Sequence, residues 1–347
     1  MTSRPLARRS LFAGSGALLV GGVLSACASE PEAPPAPPAG PEIAEPTPAQ
    51  TTEQLDAVVA EISSAVTAAD EARDPAQLAP RVIGSAVEFR TAAYALIAKA
   101  EEWTAQLTVP GAALVVPMST TGTDFPRTAI GLVENSAADG VPFFLALQQA
   151  DARSPYTTWG WAQQAVDVAM PTVADAAVGS EAVAIDAADL VMTPAEALAL
   201  YAAVLTDGDA KDPEDQLAVD PFITSRHSEI QEERKALNAG VEWDEGATIR
   251  ETYAVREDEF AGLRTDDGGA LVMGTLTSTR KVTIKDGATM RYAEDNAYTK
   301  VVGTREFTKE FVRTFGTHVA LYIPSAEAGG QVQSVGATLT ALTATGS

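Results

Sequence analysis

The spacing of apolar residues changes from a helical period to a strand period twice along this chain. In the first half, an apolar stripe that runs from Leu55 to Val66 with a spacing near 3.6 residues predicts a helix. A second apolar segment from Val82 to Ile97 predicts another helix, which ends near Lys99. Polar and apolar residues then alternate, which indicates half-buried strands. The strands predicted in this half cover residues 112–118, 128–134, 141–149, 156–163 and 180–186.

The second half repeats this order of elements. Thr193-Pro194 is a cap followed by proline, and predicts a helix over 195–205. Another helix is predicted over 222–237, with Gly240 just after its end. Alternation rich in Thr, Val and Tyr then favours an antiparallel sheet with one solvated face. The strands predicted here cover residues 248–256, 270–284, 297–307, 318–323 and 331–340.

A short internal repeat lies between the helices of each pair. Residues 70–78 contain Asp74-Pro75, and residues 209–217 contain Asp212-Pro213, and matching the two segments needs one inserted residue. Proline disfavours helical backbone at the preceding aspartate, so each copy separates two helices. The sequence therefore predicts an α+β fold of two tandem modules, each a helix pair followed by a curled antiparallel sheet, over residues 51–190 and 191–347.

The first 26 residues have the pattern of a bacterial export signal. Arg4, Arg8 and Arg9 precede an apolar, glycine-rich stretch that is too short for a stable membrane span. It ends in the lipobox Leu24-Ser25-Ala26-Cys27, which contains the only cysteine of the chain. We expect cleavage before Cys27 and attachment of diacylglycerol to its sulfur. The pair Arg8-Arg9 resembles a twin-arginine signal, and an ordinary Sec leader is the alternative.

Residues 27–50 are rich in Pro, Ala and Glu. Frequent proline prevents both a helix and a strand ladder, so the sequence predicts a disordered Pro-rich tether that is mostly extended. At ~3.1 Å per residue, the tether would hold the folded part several tens of Å from the bilayer.

The element order and the Asp-Pro repeat together resemble two cystatin-like or NTF2-like modules in tandem. With the lipobox and the tether, the chain is similar to a group of uncharacterised actinobacterial lipoproteins that share a domain of unknown function. This resemblance implies the fold and an extracytoplasmic location at the cell membrane. It brings no catalytic residues.

Few residues suggest catalysis or metal binding. No Gly-x-Ser-x-Gly elbow accompanies His227 or His318, and two distant histidines cannot form a zinc site, so we expect both to be structural or at the surface. The acidic stretch 207–215 fails the calcium-loop pattern, because Lys211 and Asp212 occupy its fifth and sixth places. The sequence predicts no catalytic residue, no metal and no cofactor.

The strongest candidate for ligand contact is Trp159-Gly160-Trp161. Two indoles at i and i+2 of a strand would share one face, and an exposed pair would form a stacking platform for a sugar or an apolar ligand. We favour the alternative that they form a buried wall, with Gly160 permitting close packing or a bulge. Any ligand in this region would also meet Tyr156 and Phe144.

The charge narrows the range of partners. The chain has 24 Lys and Arg against 47 Asp and Glu, a net charge of −23. A nucleic-acid partner is not expected, because phosphate binding needs a basic surface. The sequence thus predicts a lipid-anchored, non-catalytic binding or scaffolding module at the outer face of the cytoplasmic membrane, with an envelope protein or a glycan as partner. An NTF2-like pocket enzyme and a solute-binding lipoprotein of an ABC importer are the alternatives.

Overall fold

Two helices begin the first half of the fold. The computed structural model describes residues 47–347. Helix α1 (Thr52–Ala72) starts with a capping box between Thr51 and Gln54 and ends at Arg73, whose φ is +52°. A 3₁₀ turn over Pro75–Leu78 follows, with Asp74 as its cap. Helix α2 covers Gly84–Ile97, and a second 3₁₀ segment covers Glu101–Gln106.

The first sheet is an antiparallel meander in the order β1-β2-β3-β4. Along β3, residues 143, 145 and 147 pack in the cluster that contains α1 and α2, whereas residues 144 and 146 pack in a second cluster on the other face. Both faces are therefore buried. The strands are β1 (Pro110–Ser119), β2 (Arg127–Asn135), β3 (Phe143–Gln149) and β4 (Thr157–Gln163).

The second half also begins with helices and ends in a sheet. Helix α3 (Pro194–Asp207) has a capping box between Thr193 and Glu196. A 3₁₀ turn (Asp209–Lys211) leads toward α4 (Pro221–Leu237), which Asp220 caps. The second sheet has the order β10-β9-β6-β5 and is antiparallel throughout. Its strands are β5 (Ala247–Arg264), β6 (Ala270–Ile284), β9 (Glu310–Ile323) and β10 (Gln333–Gly346), and a small hairpin of β7 (Met290–Arg291) and β8 (Glu306–Phe307) encloses α5 (Ala297–Val302).

The two sheets pack against each other, and each also packs against helices. On β6, Val272 and Leu276 pack in the cluster that contains α3, whereas Leu271 and Met273 pack in the cluster that contains the second face of the first sheet. The two sheets thus meet face to face, α2 also contacts the second sheet where Phe89 lies against Gly316, and residues 47–347 lie in one compact unit. The predicted α+β class is confirmed, with helices followed by an antiparallel sheet in each half.

Several predicted elements need correction. Residues 297–307 form α5 and the short β8 and not one strand, because Asn296 and Thr299 make a capping box and Gly303 at φ +82° ends the helix. Residues 180–186 make only isolated bridges, at Ser180 and Ala182. Strand β9 begins eight residues before His318, so this histidine lies within the strand and does not open it.

The leader and most of the tether lie outside the described residues. This applies to Arg8 and Arg9, to the lipobox and to Cys27, so the expectations placed on them stay predictions. The boundary between modules at residues 190 and 191 also stays a prediction. From residue 47 to residue 347, no helix has both the length and the apolar character that a membrane crossing requires.

Candidate functional site

The residues that most resemble a catalytic group meet where α2 contacts the second sheet. Helix α2 has no side-chain cap of its own at Ile83. Instead, the Glu259 carboxylate accepts a hydrogen bond from the backbone N–H of Ser85, with an N···O distance of 2.6 Å. A carboxylate at a helix N-terminus satisfies an otherwise unpaired N–H and interacts favourably with the helix dipole. The second half of the fold therefore caps a helix of the first half.

An irregular part of β5 brings Glu259 to this position. Arg256 pairs with Thr275 and Phe260 pairs with Gly274, so residues 257–259 have no counterpart on β6. This bulge turns the Glu259 side chain inward, where it is 6% exposed. Bulges commonly redirect a side chain in this way. The fit also needs Gly84, because a Cβ there would collide with Oε1 of Glu259.

The Ser85 hydroxyl is the centre of a buried polar cluster. Its Oγ lies 2.9 Å from Nε2 of His318, and it donates to the Glu259 carboxylate, which also accepts from the Thr275 hydroxyl at 2.7 Å. The backbone N–H of Trp161 donates to Nδ1 of His318 at 3.4 Å. The neutral imidazole therefore carries its proton on Nε2 and donates it to Ser85.

Aromatic rings enclose His318 on several sides. Phe89 stacks on the imidazole with 5.0 Å between ring centroids, and Trp159 and Trp161 approach at 6.2 Å and 6.1 Å. Gly160 allows this contact, because a Cβ there would lie 2.6 Å from Cδ2 of His318. Burial lowers the pKa of His318 from 6.5 to about 3. The imidazole is therefore neutral at physiological pH.

This cluster contains a serine, a histidine and a carboxylate in an order that does not suit hydrolysis. In a catalytic triad, the histidine lies between the serine and the acid and accepts the serine proton. Here Ser85 lies between His318 and Glu259, and the imidazole is the donor to the serine oxygen. The geometry supports a structural junction between the two halves.

The predicted ligand-facing residues are all buried in the structure. Trp159, Trp161, Tyr156 and Phe144 are each at most 6% exposed. The prediction that the two indoles share a face is wrong, because the register of β4 shifts beside Ala146 and Trp159 is the extra residue. Trp161 packs with the helices of the first half, whereas Trp159 and Phe144 pack between the sheets.

Two small cavities adjoin these residues. Phe144 lines an apolar cavity of about 70 Å³ together with Met118, Met170 and Leu271. Trp161 and His318 line another of about 10 Å³, which is close to the space of a single water. Burial raises the pKa of Tyr156 to about 12. Neither cavity has the volume of an ordinary small-molecule site.

A charge-balanced network lies between α4 and the second sheet. Glu251, which is 1% exposed, accepts hydrogen bonds from Arg226 at 3.0 Å and from Arg280 at 2.7 Å. Burial raises the pKa of Glu251, but the two guanidinium groups outweigh burial and lower it overall. Arg313 pairs with Glu233 of α4 at 2.6 Å. Paired charges therefore occupy the face of the second sheet that α4 covers.

The acidic loop between α3 and α4 uses its carboxylates internally. Both carboxylate oxygens of Asp212 accept backbone N–H groups, from Gln216 and Leu217, at 2.8 Å each. Asp220 caps α4 and accepts from the Tyr201 hydroxyl. Within residues 47–347, no group of three or more His, Cys, Asp or Glu is arranged to hold a metal ion.

His227 lies on α4, with Nε2 3.2 Å from the carbonyl oxygen of Leu205 on α3. It takes no part in the Ser85 cluster. The sequence missed the cluster itself, because Ser85, Glu259 and His318 come from distant segments. The signals that could have indicated it are Gly160 within a strand and the acidic run Glu257-Asp258-Glu259, which interrupts the alternation of β5.

The fold and its junction define an α+β protein in which two helix-and-sheet halves share a sheet-to-sheet core. The chain belongs to the family described as Domain of unknown function (DUF8094), which matches residues 46–346. No curated protein and no solved structure matches it.

Proposed function

We propose that this protein is a membrane-anchored lipoprotein of the cell envelope, and that its folded part is a non-catalytic binding or scaffolding module at the outer face of the cytoplasmic membrane. The observation that carries the proposal is the lipobox Leu24-Ser25-Ala26-Cys27, in which the sole cysteine of the chain follows an arginine-tipped apolar segment. Its location at the end of a leader of that pattern is typical of lipid attachment. An actinobacterial source is part of the same proposal.

The absence of a catalytic role is supported by the Ser85 cluster. Its hydrogen bonds make His318 a donor, and its four polar residues are at most 6% exposed. A substrate could not reach the serine without separating the two halves. The side chains that most resemble a catalytic group thus join the two halves of the fold by hydrogen bonds.

The two alternatives have less support. An NTF2-like pocket enzyme needs a deep apolar cavity with a buried acid, but the three buried acids of residues 47–347 already have partners within the fold. Glu251 is neutralised by two arginines, Glu259 accepts from Ser85 and Thr275, and Asp220 caps α4 and accepts from Tyr201. A solute-binding lipoprotein of an importer would be expected to have parallel sheets in two hinged lobes, whereas both four-stranded sheets are antiparallel.

The anchoring proposal is tested by Cys27→Ala, expressed in an actinobacterial host that is fed an alkyne-labelled fatty acid. We expect the unchanged protein to carry the label and to sediment with membranes. Cys27→Ala should lose the label and move to the soluble fraction, because no acyl chain can be attached. Ser29→Ala, two residues further on, is the matched control and should behave as the unchanged protein.

The proposal is overturned if the unchanged protein takes up no label, or if Cys27→Ala still sediments with membranes after washing at high salt. Replacing Arg8 and Arg9 by lysine separates the two export routes. Loss of export in that double variant supports the twin-arginine route, and unchanged export supports the Sec route.

A further inference from the structure

One indole differs from the others in its exposure. Trp243 lies in the loop between α4 and β5 and is 53% exposed, whereas Trp103, Trp159 and Trp161 are 3%, 3% and 4% exposed. These four are all the tryptophans of the chain. Exposing a large aromatic side chain gives up its burial free energy, and such residues are enriched where proteins bind ligands.

The loop holds Trp243 in a fixed position. The guanidinium of Arg234 lies over the indole, with its Cζ 4.6 Å from the ring centroid. Both carboxylate oxygens of Asp244 accept hydrogen bonds from that guanidinium, and Oδ1 is 2.8 Å from Nε of Arg234. The ion pair lowers the pKa of Asp244. Asp244 has a φ of +67°, a left-handed conformation that is uncommon for a residue other than glycine.

The Asn238 side chain joins the two ends of this loop by hydrogen bonds. Its side-chain amide donates to the carbonyl oxygens of Arg234 at 2.9 Å and of Ala247 at 3.0 Å. Its oxygen accepts from the backbone N–H of Gly246 at 2.9 Å and of Ala247 at 3.2 Å. The end of α4 and the start of β5 are therefore joined on both sides of Trp243. A platform held in this way loses little conformational entropy when a ligand binds.

The surroundings of Trp243 indicate the kind of ligand. One face of the ring already carries the Arg234 guanidinium, so only the other face is open to a ligand. The exposed neighbours are Ala239, Gly240 and Val241 together with the charged Glu242 and Glu245, and charged residues do not form the apolar centre of a protein interface. A neutral ring with one apolar face and several hydroxyl groups suits both features, because carboxylates accept hydrogen bonds from hydroxyls.

We propose that the exposed face of Trp243 binds a neutral sugar ring of an envelope glycan, with the Glu242 and Glu245 carboxylates accepting hydrogen bonds from its hydroxyls. This proposal deepens the binding role proposed above and rests on it. Its test uses purified protein and does not depend on lipid attachment at Cys27, so the two proposals fail separately.

The first experiment uses the fluorescence of the full chain purified in detergent. Acrylamide quenches exposed indoles, so the quenchable fraction reports Trp243. Hexasaccharides of N-acetylglucosamine, mannose and glucose serve as probes. We expect at least one of them to protect Trp243 from quenching, with half-saturation on the order of 1 mM, as suits a single stacked ring. The proposal is overturned if none of the three protects.

The second experiment assigns the contact by saturation-transfer NMR of the hexasaccharide that protects. Trp243→Ala should abolish the signal, and Glu242→Gln with Glu245→Gln should weaken it severalfold. Phe125→Ala is the matched control, because Phe125 is also an exposed ring with an arginine over it, at 4.5 Å from Arg127, and it should retain the signal.

Two results of these experiments contradict the proposal. An equal loss of signal in Phe125→Ala and Trp243→Ala would mean nonspecific contact with exposed rings. Protection of Trp243 that grows with protein concentration in the absence of sugar would identify a second copy of the chain as the occupant. Circular dichroism and thermal unfolding of Trp243→Ala should match the unchanged protein, because the indole packs only at the surface.

Discussion

At the residue scale, His318 shows how burial turns a titratable side chain into a structural one. The imidazole is enclosed by Phe89 and two indoles, and its pKa lies near 3 when the protein is folded. The charged groups near it are Glu259, which it reaches through Ser85, and the guanidinium groups of Arg256 and Arg90, which lower its pKa further. Charging the ring would place an imidazolium in the core.

This burial predicts a dependence of stability on acid. The unfolded chain binds a proton at His318 below pH 6.5, whereas the folded protein does so only near pH 3. The stabilisation that comes from keeping His318 neutral is therefore complete above pH 6.5. As the pH falls toward 3 it is lost progressively, and the free energy of unfolding decreases by about 1.4 kcal/mol per pH unit. We expect urea unfolding of His318→Gln to show a shallower decline in this window than the unchanged protein.

His227→Gln is the matched control for this measurement, because His227 lies on α4 and contacts Leu205. It should keep the full decline with acid. Equal slopes for His318→Gln and the unchanged protein between pH 6.5 and 4 would contradict the prediction.

The same scale shows where residue patterns are insufficient. The period of two across Trp159-Gly160-Trp161 predicts one shared face, but the bulge inverts Trp159, because backbone register depends on contacts made by other segments. No local pattern predicts the role of Ser85 either. Its partners Glu259 and His318 are 174 and 233 residues away in the chain.

At the element scale, the caps account for most of what the sequence predicts. Thr193-Pro194 and the glycine after α4 locate helices to within a few residues, because capping is a local interaction. The segment 297–307 alternates like a strand, yet the capping box of Asn296 and Thr299 makes it begin as a helix. The start of α2 cannot be predicted locally, since its cap is Glu259.

The cap from Glu259 predicts a specific coupling between the halves. Glu259→Gln should destabilise the protein by about 1–3 kcal/mol, since an amide cannot accept all the hydrogen bonds that the Glu259 side chain accepts from Ser85 and Thr275. Ser85→Ala should couple to it, with an interaction free energy of about 0.5–3 kcal/mol in a double-mutant cycle. The measurement is urea unfolding of the two single variants and the double variant.

Asp258→Asn provides the control from the same bulge. Asp258 is exposed and pairs with Arg256 at 3.1 Å, so its replacement should change stability by less than about 1 kcal/mol. Additive effects of Glu259→Gln and Ser85→Ala would show that the two side chains do not act together.

Helix α4 is held to the second sheet by charges, and this predicts an unequal response to two substitutions. Glu251→Gln leaves Arg226 and Arg280 without their shared carboxylate, and should cost about 3–5 kcal/mol of stability. Arg250→Gln removes a surface pair with Asp207, whose exposed fractions are 65% and 33%, and should cost about 1 kcal/mol or less. Thermal unfolding of both variants at one pH checks the contrast, and comparable losses would contradict it.

At the scale of the whole molecule, the sequence predicts the order of elements but not how the halves meet. The helical and strand periods are local, so the α+β class follows from them. The contact of the two sheets depends on Leu271, Met273 and Phe144 facing one another, and strand alternation does not specify which face meets which. Gly160, Gly316 and Gly336 mark places of close approach, to His318, Phe89 and Gln163 respectively.

The shared sheet-to-sheet core predicts that both halves unfold in one transition. Leu198 of α3 is fully buried in the second half, whereas Trp103, Trp159 and Trp161 all lie in the first half. Leu198→Ala should cost about 2–5 kcal/mol. In a Trp243→Phe background, tryptophan fluorescence then reports only the first half. If the halves are coupled through their common core, Leu198→Ala must move this fluorescence transition and the circular-dichroism transition to the same lower urea concentration.

Leu147→Ala, a buried position of the first half, is the reciprocal control. A fluorescence midpoint that Leu198→Ala leaves in place would mean that the modules fold independently, and the junction at Ser85 would then be a contact between separate domains.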